Sequence, residues 1–78
     1  MLTVELNPDF DTVTIHGSPD RLRWLASLLR ELAYLAEQNG RHHEHLMSAN
    51  WGGEELDSEP QSSEGKLVDH VILYGWSP

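Results

Sequence analysis

The segment from Ser18 to Gly40 constrains this chain more than any other. Ser18-Pro19-Asp20 opens a helix: Ser18 can accept from an orphan backbone N–H, Pro19 sits where no donor is needed, and Asp20 suits the positive dipole end. Asn39-Gly40 closes it with a residue suited to the left-handed conformation. Between these ends Leu22, Leu25, Ala26, Leu29, Leu32, Ala33 and Ala36 follow the 3.6-residue period, predicting a helix over 19–38 with one broad core stripe. Trp24, Leu28 and Leu35 fall about 100–140° from the centre of that stripe and make a second apolar strip. Either the carboxy-terminal tail covers this strip or it is the contact of a structural homodimer.

A helix of that length is about 30 Å long, and a chain of 78 residues has only short strands left to pack against it. Leu2, Val4 and Leu6 alternate with polar residues, Asn7-Pro8-Asp9 breaks the pattern, and Val13 and Ile15 resume it, which predicts a β-hairpin. Glu5, Thr12, Thr14 and His16 then share the opposite face. After the helix, residues 42–47 form a third strand and 67–76 a fourth. The expected architecture is a single α+β domain over 1–78, a two-layer sandwich ordered β-β-α-β-β, with one helix on one face of an antiparallel four-stranded sheet and the other face open to water.

The connection from Ser48 to Lys66 exceeds the roughly 12–15 residues beyond which loops are usually functional or disordered. Residues 57–65 are expected to be mobile, whereas Trp51 and Leu56 look anchored. Within this connection Trp51-Gly52-Gly53-Glu54-Glu55-Leu56 sets an aromatic residue beside glycines and carboxylates, the composition of a recognition loop for a basic partner. Trp51, Glu54, Glu55, Asp57 and Glu59 are therefore the candidate partner-binding residues. Trp51 and Leu56 also suit a purely structural role, plugging one end of the core.

Thirteen acids against five bases give a formal charge of −8, of which −5 falls after Gly40. Such a field disfavours independent binding to nucleic acid or an anionic membrane and favours a basic protein partner. No cysteine is present, which removes disulfides, thiolate metal sites and thiol nucleophiles together. The opening MLTVELNPDF lacks the regions of a signal peptide and no apolar run spans a bilayer, so a cytoplasmic location is expected.

Catalysis is not expected. The sequence has no G-x-S-x-G and no phosphate-cradling glycine motif, and His43-Glu44-His45 lacks the H-E-x-x-H spacing. No cofactor is implied. An alternative function rests on His16, His43, His45 and His70: with Leu46, Val71 and Leu73 turned inward, these imidazoles share the outer sheet face, where they would suit zinc or nickel. Val68, Ile72 and Tyr74 form an equally acceptable inward set, and that register removes His70 from the face.

His16-Gly17-Ser18-Pro19-Asp20-Arg21-Leu22, the leucine-rich helix, the His43-Glu44-His45-Leu46 strand and Gly53-Glu54-Glu55-Leu56 before a final apolar strand together resemble the immunity protein thirty-two family of bacterial polymorphic toxin systems. The resemblance covers most of the chain. It implies an α+β protein, without catalysis of its own, that inhibits a cognate toxin domain by stoichiometric binding; the residues themselves leave monomer and homodimer open. Glu44 departs from the pattern, because the family's HxHL strand carries an aliphatic residue there. A buried carboxylate at that position needs an edge strand or a partner.

Overall fold

Local signals set the longest element. The Ser18 hydroxyl accepts the Arg21 N–H at 3.3 Å, Pro19 begins the helix, and Gly40, at φ 79°, ends it. The computed structural model describes residues 2–62 and 64–78. Its elements are β1 (Thr3–Leu6), β2 (Val13–His16), α1 (Pro19–Asn39), β3 (Arg41–Met47), a 3₁₀ turn (Ala49–Trp51), β4 (Lys66–Leu67) and β5 (His70–Trp76). The α+β class stands. None of the described helices is long and apolar enough to cross a membrane.

The expected four-stranded sheet is instead five strands in two antiparallel sheets, β2-β1-β4 and β3-β5. The segment read as one strand over 67–76 changes partner part-way. Its beginning pairs with β1, Leu67 opposite Glu5, and its remainder pairs with β3, His70 opposite Met47. The break falls at Val68-Asp69. There the Val68 N–H donates to the Val4 carbonyl and the Asp69 carbonyl accepts from Ser48, both at 2.8 Å. Leu56, fully buried, forms parallel bridges to both Leu2 and Ser48 and so joins the two sheets from a third segment.

The β1–β2 hairpin pairs Val4 with Ile15 and Leu6 with Val13, putting their side chains on one face as the alternation requires. Its turn is held by Asn7, whose side-chain oxygen accepts the N–H groups of Asp11 and Thr12 at 2.9 and 3.0 Å.

The helix does not lie centrally over the sheets. It packs on β3 and β5, where Leu32 and Ala36 are its buried residues. The reason is Gly75: a Cβ there would lie 3.1 Å from that of Ala36, so its missing side chain lets the helix settle on β5. The core cluster, Leu2, Val4, Leu46 and Leu56, takes Leu25 and Leu28 from the helix and Val71 and Leu73 from β5. The stripe is thus turned from its expected centre, with Leu28 drawn inward and Leu22 and Leu29 left exposed.

The outer face is open to water over β3–β5 but not over β1, where Thr3 and Glu5 are buried. Glu5 accepts the N–H groups of Gln61 and Ser62 at 3.0 and 3.1 Å, so the long connection straps across this strand. The loop expected at 57–65 includes Ser63, which lies outside the described residues.

Candidate functional site

Antiparallel pairing of β3 with β5 decides which side chains meet water. Leu46, Val71, Leu73 and Gly75 turn to the helix and core, so His43 and His45, with Ile72, Tyr74 and Trp76, turn outward. His70 shares their face, and its ring stacks on that of His45 with centroids 5.1 Å apart. Nδ1 of His45 lies 2.8 Å from Nε2 of His70, one imidazole donating to the other. The row continues to His43, 5.0 Å from His45, and on to Tyr74, 5.1 Å from His43. At its other end the Trp51 indole lies 5.6 Å from His70.

Trp51 is presented by a tightly built loop. The 3₁₀ turn closes with the Trp51 N–H donating to the Ser48 carbonyl at 3.0 Å, and Gly52, at φ 83°, reverses the chain. Gly53 then lies flat against the backbone of Met47, where a Cβ would strike the carbonyl. The Glu55 carboxylate ties the loop down, accepting the Met47 N–H at 3.2 Å and the Glu54 N–H at 2.9 Å. Ser48 is buried and its hydroxyl donates to the Asp69 carboxylate at 2.6 Å, fixing the loop to the start of β5. On this support the indole remains 58% exposed. Beside it a groove of about 320 Å³ runs over Leu6, Lys66, Leu67, Asp69 and His70.

The acidic candidates divide by what their carboxylates do. Glu54 and Glu59 are exposed and make no ion pair among the described residues. Glu55 is occupied with backbone donors, and Asp57, half-buried, accepts the Glu59 N–H at 3.3 Å. Of the apolar strip read from the helix, Leu28 packs toward the core, Leu35 is half-buried, and Trp24 lines a notch with Arg21, Glu54 and Glu55. Trp24 therefore adjoins the acidic loop rather than continuing a separate surface.

The histidine set is divided too. His43, His45 and His70 come together, whereas His16 lies in another hollow, 3.5 Å from the buried Glu5. Among the described residues no three His, Cys, Asp or Glu side chains converge to hold an ion. Glu44 resolves its own difficulty: it is half-exposed on an edge strand and pairs with His42 Nε2 at 2.9 Å. The sequence reading missed the outward row of Ile72, Tyr74 and Trp76, although period-two alternation with Val71 and Leu73 carried that signal. It also missed Glu5 as the anchor of the long loop.

One carboxyl has a displaced titration. Side-chain hydrogen bonds from Asn7 and Thr12 hold Asp11 below its ordinary value.

Comparison with protein families places this α+β chain, with its open sheet face and acidic loop, among the immunity proteins. The family is Immunity protein 32, whose model matches residues 12–71, and the chain belongs to it. No curated protein and no solved structure matches the chain.

Proposed function

We propose that this protein is a bacterial cytoplasmic immunity protein that neutralises a cognate toxin domain by stoichiometric binding and has no enzymatic activity of its own. The partner surface is basic, and the contact centres on Trp51. Glu54 and Glu59 meet lysines or arginines of the toxin, while Glu55 and Asp57 hold the loop in the shape that presents them. Family membership supports the immunity role. The observation that carries the choice of surface is an indole left 58% exposed on a loop fixed by Ser48, Gly53 and Glu55. A rigid exposed aromatic loses little freedom on binding, which is why tryptophan dominates interface hot spots.

The charge suits the same role. A chain at −8 repels nucleic acid but is drawn to the cationic groove of a protein that handles phosphates. The test is titration of the purified chain against its cognate toxin domain, sought in the neighbouring reading frames. Activity should fall linearly to an endpoint at one chain per toxin, and Trp51→Ala should abolish the sharp endpoint. Full toxin activity at tenfold excess of the wild-type chain would refute the immunity assignment. Undiminished inhibition by Trp51→Ala would refute the surface alone.

A further inference from the structure

The helix covers only half of the sheet layer, and the uncovered half is apolar. A groove of about 340 Å³ opens there, floored by Leu2, Val4 and Val68. Val13 and Ile15 of β2 flank it at 60% and 49% exposure, and Leu29 of the helix does so at 44%, with Leu22 exposed on the same flank. The described residues that line it are aliphatic except for His70, whose ring lies on the outer face against His45. Core residues of a 78-residue domain are thus reached from outside through an apolar opening.

We propose that two copies of this chain associate through this opening, each laying the Leu22–Leu29 flank of its helix over Val13 and Ile15 of the other. The bare half-sheet lacks a helix, and the bare helix flank lacks a sheet. Both lie on the same molecule, so one two-fold axis satisfies both at once. The flank has the spacing for it: Leu22, Ala26, Leu29 and Ala33 fall four, three and four residues apart, on one side of the helix. The two alanines allow close approach.

Charge points to the same occupant. A like-charged copy at −8 is repelled over most of the surface, but the groove itself carries no carboxylate. Arg23 and Arg30 border the free flank at 100° per residue, and the β1–β2 turn carries Asp9 and Asp11. A two-fold that sets helix flank against hairpin brings these opposite charges together. Glu37 lies about two turns beyond Leu29, the last helix residue on the groove.

The experiment is sedimentation equilibrium of the full chain from micromolar to millimolar concentration. The wild type should approach twice the 8.9 kDa chain mass. Leu29→Glu should hold it at one chain mass, with circular dichroism confirming the fold, while Trp24→Glu, on the other flank, should leave the dimer intact. Arg30→Glu should weaken association at least tenfold and Asp9→Lys should restore it, a rescue that loss of folding cannot produce. A wild type that stays monomeric at millimolar concentration overturns the proposal, as does a dimer that survives Leu29→Glu or is lost on Trp24→Glu. Toxin inhibition does not enter this measurement, so its outcome is independent of the proposed function.

Discussion

The Glu55 carboxylate accepts the backbone N–H of Met47, eight residues earlier, at 3.2 Å, and with its second oxygen the N–H of Glu54 at 2.9 Å. One side chain thereby ties the end of β3 to the far side of the Trp51 loop. In sequence Glu54 and Glu55 are indistinguishable; in the fold one is a fastening and the other a free charge. Glu55→Ala leaves two backbone donors without a protein partner, and should lower the unfolding free energy by about 1–3 kcal/mol. Glu54→Ala should change it by less than about 0.5 kcal/mol. Urea denaturation of the two variants measures the difference, and equal costs would mean that Glu55 fastens nothing.

The paired glycines also differ. Gly52 has φ 83° with nothing within 4 Å of an added Cβ, so Gly52→Ala meets only the left-handed penalty of roughly 1–2 kcal/mol. At Gly53 an added Cβ strikes the Met47 carbonyl, and backbone has to move. Gly53→Ala should therefore destabilise more than Gly52→Ala and also shift the Trp51 emission. Reversal of that order in thermal unfolding would contradict the close approach.

Asp11 connects the hairpin turn to pH. Asn7 Nδ2 donates to its carboxylate at 2.6 Å and Thr12 Oγ1 at 3.0 Å, which favours the ionised form and lowers the folded-state pKa from 3.8. A lowered carboxyl contributes stability above its unfolded value, and loses it as pH falls through the folded value. The carboxyl carbon of Asp11, followed by NMR, should titrate below 3.8, and Asn7→Ala should move its midpoint upward. An unmoved midpoint would exclude Asn7 as the leading cause.

Much of the fold was legible because its signals are local. Ser18, Pro19 and Gly40 mark the helix ends by backbone chemistry alone, and alternation from Leu2 to Leu6 and from Val13 to Ile15 gives the hairpin and its inner face. The outward placement of His43 and His45 followed once Leu46 was taken as inward. What could not be read depends on distant partners. The strand over 67–76 breaks at Val68-Asp69 because β1 and β3 claim successive parts of it, and neither claim leaves a mark in the periodicity. The helix stripe turned because Gly75, a residue with no side chain to count, allows Ala36 to approach β5. Glu5 alternates as an outward residue should, and its burial arises from a strap 56 residues further along the chain. Of the candidate site, Trp51 and its acids were visible as composition, and the division of those carboxylates into loop fastenings and exposed charges was not.

That division predicts how the loop acts on a toxin. Glu54 and Glu59 are exposed and make no ion pair among the described residues, so on the proposed function they act at long range, on encounter. Reversing both to lysine should lower the association rate about tenfold or more at low ionic strength. The effect should vanish near 1 M salt, where the Debye length is about 3 Å. On the same proposal Trp51 acts only in contact. Trp51→Ala should raise the dissociation rate, at a cost of about 2 kcal/mol or more, and leave the salt dependence of association unchanged. Stopped-flow mixing with the cognate toxin domain separates the two quantities. An association rate insensitive to the double reversal would remove Glu54 and Glu59 from the interface, and an unchanged dissociation rate for Trp51→Ala would remove the indole.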